Sequence, residues 1–365
     1  MKLSYTILIL LISPFYSVLS AQNEDIRLQL ERIILHDTEI SLDLTPGFII
    51  GIIDRDSTFF FDFGKSSIDS KEKINAHSIF ELGSISKLYT AALVNILIKE
   101  GLIEEDAPVN NYLAEDFQNP RLDDLTVKDL VSHQSGFPKR PSFFGKKDKA
   151  IQNPYAYYAK GDLLEFYKEY IPIQKIGTFR YSHTNYALLE IIIEEVSKMT
   201  YEQALKQYIF TPLDLESTFV ALPEDSTKIT PGHDRSMKVC PSWSFNSFAA
   251  SEGIKANLLD VLKFTRSFLD EEHPLFEDLS DMKHPIAATD FNEQTYVGKA
   301  WHIIKSKKWY NVLTHSGMTS GHHVYISCVP ETKTGVVILS NSVIGTEDLS
   351  FLILRMINYN WDRKA

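Results

Sequence analysis

The chain of 365 residues is 44% hydrophobic, contains 15 Pro and 16 Gly, and carries a formal net charge of -11. That length and composition suit a globular protein with a large core, built as two domains or as one two-lobed domain. The acidic balance, with no local Lys/Arg block, excludes the basic footprint of a phosphate-backbone binder, so nucleic acid is not an expected partner.

The first residues, MKLSYTILILLISPFYSVLSAQ, offer one lysine, an apolar core from Tyr5 to about Ile12 that continues to Leu19, and then Ser20 and Ala21 as a cleavage site. Residues 1–21 read as a secretory signal peptide, which would place the mature chain, 22–365, in the periplasm or outside the cell. A membrane anchor needs about 20 apolar residues, and this run is shorter and broken by Pro14, so no stable span is expected after cleavage. The two cysteines, Cys240 and Cys328, leave one disulfide and two buried thiols equally open.

Beyond the leader, Ile26, Leu28, Leu30, Ile33 and Ile34 recur at near-helical spacing over 24–36. GFIIGIID (47–54) and STFFFDFG (57–64), joined by Arg55-Asp56, predict a β-hairpin. Helices are expected over 84–100, 126–133, 161–170, 185–199, 200–209 (with a Thr200/Gln203 capping box) and 257–270. The stretch 138–158, rich in Pro, Lys, Phe and Tyr, reads as a long surface loop. Strands return at KWYNVLTHS (308–316), HHVYISCV (322–329) and GVVILSNS (335–342), followed by a helix from about Glu347 to Tyr359. The expected architecture is α/β (α+β): an antiparallel sheet from both chain ends (about 22–80 and 290–365) flanked by helices, with a mostly helical lobe (about 81–289) inserted between them. A site between the lobes is the default location for function.

The chain has no G-x-S-x-G elbow, H-E-x-x-H, Walker loop or C-x-x-C. His315, His322 and His323 form the densest histidine group, but adjacent strand residues face opposite ways, so no metal and no other cofactor is expected. Ser84-Ile85-Ser86-Lys87 offers a nucleophile instead. On a helix starting at Ser84, serine and lysine three apart share one face, and the unpaired N-H groups of the helix start favour negative charge at Ser84. The run behind them (Leu88, Ala91, Ala92, Leu93, Val94, Ile96, Leu97, Ile98) is apolar nearly all round and predicts a buried helix. A lysine there is tethered by hydrogen bonds or desolvated toward a neutral amine able to accept the serine proton. Spacing alone does not decide, because Ser70/Lys73 and Ser280/Lys283 repeat it in charged, loop-like stretches.

FELGSISK (80–87) resembles the nucleophile motif of the serine β-lactamase and penicillin-binding protein superfamily, closest to class C β-lactamases and related peptidases and esterases. LVSHQSGFP (130–138), RYSHTNYALLE (180–190) and HSGMTSG (315–321) resemble further family segments in the same order. The resemblance implies an acyl-enzyme at Ser84, with Lys87 and the phenol of Tyr181 taking its proton, and Tyr181 then protonating the leaving group and later activating water for deacylation. It also implies an oxyanion hole from the N-H groups of Ser84 and Met318, and substrate contacts from His183, His315, Ser316 and Gly317. Lys333-Thr334-Gly335 matches the family's third motif literally, but is expected at a polar hairpin tip. Two departures bear on substrate: His183 stands where the family has asparagine, and His315 where it has a permanently charged lysine. The expected partner is a small molecule or peptide, cut at an amide (a β-lactam or D-Ala-type peptide). A carboxylic ester is the alternative, and a non-catalytic binder of cell-wall fragments or of a partner is a further one.

Overall fold

The computed structural model describes residues 23–142, 144, 153–223, 229–306 and 310–362. The expected signal peptide lies outside them, as does much of the expected loop over 138–158. No helix among the described residues is long and apolar enough to cross a membrane.

Helix α1 (23–37) leads into the hairpin of β1 (Gly47–Asp54) and β2 (Ser57–Gly64), which turns at Arg55, where φ is +54°. The middle of the chain carries β3 (Phe80–Glu81), α2 (Ser86–Lys99), α3 (Val127–Val131), α4 (Lys160–Glu169), α5 (His183–Ser197) and α6 (Tyr201–Leu205). After these come β4 (Thr218–Phe219), β5 (Gly232–His233), β6 (Val239–Cys240), α7 (Ala249–Glu252), β7 (Lys255–Ala256), α8 (Leu258–Arg266) and α9 (Phe276–Leu279). The C-terminal part supplies β8 (Ala287–Ala288), β9 (Thr295–Val297), β10 (His302–Ile304), β11 (Val312–Met318), β12 (His323–Val329), β13 (Thr334–Ser340) and α10 (Glu347–Asp362).

Eight of these strands form one antiparallel sheet in the order β2-β1-β13-β12-β11-β10-β9-β8. The two chain ends meet where β1 pairs with β13, in a register that sets Ile50 opposite Ile338. Strand alternation sorts the side chains between two layers. Phe48, Ile50 and Ile52 pack with Leu30 of α1 and with Leu349, Ile353 and Leu354 of α10. Ile49, Ile53, Val337 and Leu339 join the larger core that contains α2, α5 and α8. Gly51 lets α8 pack close to β1: a Cβ there would lie 2.7 Å from Leu262 Cδ1 and push that side chain aside.

Sheet and helical layers are thus arranged as the sequence predicts, with three refinements. The C-terminal share of the sheet begins at Ala287 and gains three short strands that the apolar pattern does not mark. Helix α8, inside the expected helical lobe, packs on β1 and β13. The α-helical hydrogen bonding of α2 starts at Ser86, and Ser84 sits in a preceding 3-10 turn, Gly83–Ile85, because Gly83 takes φ +52° and redirects the chain there. Cys240 and Cys328 are free thiols: Cys328 is buried in the core, and the Cys240 thiol donates to the Ser320 carbonyl.

Candidate active site

Three segments converge on Ser84. The first is its own turn, held against the end of β11. A Cβ on Gly83 would lie 2.7 Å from Met318 N, and one on Gly317 would lie 2.0 Å from Leu82 O, so both glycines permit a backbone-to-backbone approach no other residue allows. That approach sets the Met318 amide beside the Ser84 turn, as an oxyanion hole from these two residues requires. Glu81 pins the junction: it accepts from Thr319 Oγ1 (2.8 Å), lies 3.3 Å from His322 Nδ1, and accepts from the Trp243 amide (2.6 Å). Burial pushes the Glu81 carboxyl up, but His322 and the other donors outweigh it and leave the group below its ordinary value. Glu81 is therefore a positioning residue.

The second segment carries Tyr181. His133 Nδ1 accepts from the Ser182 amide (3.1 Å), and the His133 carbonyl accepts from the Arg180 amide (2.7 Å). Ser135 donates to Asn185 (2.6 Å), and Tyr186 donates to the Val131 carbonyl (2.8 Å). His133, Ser135 and Asn185 thus tie the two segments together through buried hydrogen bonds and fix Tyr181 just ahead of α5.

The third segment is α7. Leu82 N donates to Ile254 O (2.9 Å), and Ile254 N donates to Ser86 Oγ (2.9 Å), which locks α7 beside the nucleophile turn.

At the centre, Lys87 is fully buried, and its Nζ donates to Ser84 Oγ (3.1 Å) and to the Ser251 carbonyl (2.9 Å). Burial pushes its pKa down to about 7; Glu252 pulls the other way, while Arg140 and Lys139 add to the fall. A neutral amine is therefore well populated at physiological pH, 3.1 Å from the serine hydroxyl. The Tyr181 ring lies beside the same pair, its centroid 5.1 Å from Lys87 Nζ. Burial raises the phenol well above its usual range, so it is protonated and ready to act as an acid.

His183, at the start of α5, places Nδ1 3.1 Å from Lys87 Nζ, 3.0 Å from Ser251 Oγ and 3.1 Å from Glu252 Oε1. Burial, with Lys87, Arg140 and Lys139 adding to it, holds the ring well below its ordinary pKa and hence neutral. A carboxylate only accepts, so the tautomer protonated at Nδ1 satisfies Glu252, and the other tautomer accepts from Lys87. Each tautomer thus serves one of the two partners through the same Nδ1.

The third-motif residues divide. Gly317 is buried against Leu82, Ser316 is half-buried, and Met318 stands exposed at the rim. His315 is buried; Nδ1 donates to the Ser316 carbonyl (2.8 Å), and the ring stacks on His302 with centroids 4.8 Å apart. The pair lies behind Tyr181, 6.1 and 6.4 Å from its ring. Burial lowers the pKa of both, His302 to about 4, so no cation stands there at neutral pH. His315 therefore backs Tyr181 rather than projecting from an open surface.

The decoys separate cleanly. Lys333-Thr334-Gly335 occupies the turn from β12 to β13, at the opposite end of those strands from His323 and Met318. His322 faces Glu81, whereas His323 faces Glu347 of α10, on the other side of the sheet.

The sequence patterns do not single out Glu252. It is buried, its Oε1 accepts from Ser84 (3.4 Å), and its Oε2 accepts from the Tyr155 hydroxyl and lies 3.7 Å from Arg140 Nη2. Its one signal is that of a lone acid among small and apolar residues in FAASEGIKA. Tyr155, from the stretch expected to be surface loop, is fully buried.

The chain is similar to known proteins in sequence and in fold. The family model described as Beta-lactamase matches residues 39–357. A β-lactamase of Yersinia enterocolitica is 23% identical over 336 residues, covering 81% of this chain and 82% of that protein. An unguisins hydrolase of Aspergillus violaceofuscus is 22% identical, over 81% of this chain and 58% of its own length. The crystal structure of a β-lactamase/D-alanine carboxypeptidase from Pseudomonas syringae superposes with a TM-score of 0.78 at 21% identity, covering 92% of this chain and 99% of that one.

Proposed function

The chain belongs to the β-lactamase family, and we propose that it is a serine hydrolase that works through an acyl-enzyme at Ser84 and is exported by the signal peptide expected at 1–21. The observation that carries this reading is the Lys87 amine, buried, shifted to about 7 and 3.1 Å from Ser84 Oγ. Lys87 takes the hydroxyl proton as Oγ attacks the acyl carbon, and the amides of Ser84 and Met318 receive the developing oxyanion. Tyr181, protonated and beside Lys87, delivers a proton to the leaving group and regains one from Lys87, so both groups return to their starting states.

The substrate class we favour is an amide or peptide bond, as in a β-lactam or a peptide ending in a D-residue. It is supported by the β-lactamase relatives and by the likeness to the Pseudomonas β-lactamase/D-alanine carboxypeptidase. An ester is the second reading, favoured by His315: a buried, neutral imidazole leaves no permanent charge for a substrate carboxylate. Hydrolysis of nitrocefin, a D-Ala-D-Ala peptide and a p-nitrophenyl ester by the purified protein tests both. Amide turnover above ester turnover supports the first reading, an ester-only profile replaces it with the second, and inertness toward all three contradicts a hydrolase.

His183→Asn is expected to raise nitrocefin turnover relative to ester turnover, because an amide side chain restores a donor for a substrate amide while still accepting from Lys87. A fall in both rates together would show that the imidazole has a task of its own.

A further inference from the structure

We propose that Glu252 is the base of the hydrolytic half-reaction, accepting a proton from the water that attacks the acyl-enzyme and returning it to Ser84. This rests on the acyl-serine reading above and extends it to a residue that neither the motifs nor the relatives' names assign.

The geometry points there in three ways. Glu252 Oε1 is 3.4 Å from Ser84 Oγ and accepts a hydrogen bond from that hydroxyl until Lys87 takes the proton. Acylation removes the proton, so Oε1 is left with an unfilled lone pair beside the new ester, where a water can replace the lost donor. Second, the carboxylate is held at both ends. His183 Nδ1 lies 3.1 Å from Oε1, and the Tyr155 hydroxyl donates to Oε2, with Arg140 behind it. A counter-ion for Lys87 would need only charge and proximity, whereas an aligned oxygen facing the reacting atom is what proton transfer needs. Third, the rival base is poorly suited, since the buried phenol of Tyr181 is held protonated.

The step balances within the site. Water gives one proton to Oε1 as its oxygen bonds to the acyl carbon, and the oxyanion forms between the amides of Ser84 and Met318. Collapse breaks the bond from the acyl carbon to Oγ, and the Glu252 carboxylic acid hands its proton across 3.4 Å to Oγ. A free acid leaves, and serine and carboxylate are regenerated.

Rapid mixing with a p-nitrophenyl ester, followed by quench and intact-mass measurement, tests this. Glu252→Gln keeps the shape and a hydrogen bond but cannot take a proton. The expected result is a burst of about one product per enzyme, then steady turnover at least ~100-fold slower than wild type, with the acyl adduct accumulating on Ser84. Tyr155→Phe, which takes the hydroxyl donor from Oε2 and leaves Arg140 beside it, should slow adduct decay several-fold and leave the burst intact. Equal slowing of burst and turnover in Glu252→Gln, or unimpaired turnover, overturns the proposal. Should Glu252→Gln give no burst at all, Tyr155→Phe decides, and unchanged adduct decay there overturns it. Failure of the wild-type protein to form any adduct with a substrate it turns over would instead sink the acyl-serine reading.

Discussion

Ser84→Ala is expected to lower kcat/KM by on the order of 10^4-fold or more, because the other groups of the site have nothing left to activate. The folded state should hardly change. The Ser84 hydroxyl engages Lys87 and Glu252, and each keeps another contact: Lys87 the Ser251 carbonyl and Glu252 the Tyr155 hydroxyl. A melting temperature within a few degrees of wild type, measured beside the kinetics, separates loss of the nucleophile from loss of the fold. Residual activity at a tenth of wild type would place the nucleophile elsewhere, and Ser70 or Ser280 would be the next candidates.

Lys87→Met should cost about 10²- to 10⁴-fold in acylation and also change the pH profile. With the wild-type amine titrating at about 7, only its neutral form can accept the serine proton. The acylation rate should therefore rise about tenfold per unit up to pH ~7 and level off above it, and that limb should vanish in Lys87→Met. Stability carries the same signature. The amine's pKa falls from 10.5 unfolded to about 7 folded, so between those values the unfolded chain binds more protons and wild-type stability rises with pH relative to Lys87→Met. An unshifted acid limb in the variant would assign it to another group.

Much of this site can be read from the amino-acid order because its motifs are local. FELGSISK combines a turn glycine, a nucleophile and a buried helix within a few residues, and in the structure Ser84 to Leu97 is buried throughout. The hairpin of β1 and β2 and the capping box at Thr200 are local for the same reason. The ordered segments also explain one another: His133, Ser135 and Asn185, from LVSHQSGFP and RYSHTNY, are clamps between those two segments.

What the sequence hides is non-local. Glu252 reaches Ser84 across a separation of 168 residues, so no spacing rule marks it, and its helix spans only Ala249–Glu252. The strands β8, β9 and β10 are two or three residues long, too short for a period of two to register. His302 reads as an ordinary residue of a short strand until the sheet stacks its ring on His315. The 3-10 turn at Ser84 is hidden for a different reason: it depends on the positive φ of Gly83 and on the approach of β11, neither of which an apolar pattern encodes.

Everything proposed for the site depends on Ser84 being an acylated nucleophile, and covalent labelling addresses that most directly. The mature protein is treated with a fluorophosphonate and, separately, with a fluorescent penicillin, and its intact mass is measured before peptide mapping. One phosphonyl adduct per chain is expected on Ser84, absent from Ser84→Ala and retained in Ser70→Ala. No adduct with either probe, or an adduct that survives in Ser84→Ala, would rule out Ser84 as the nucleophile.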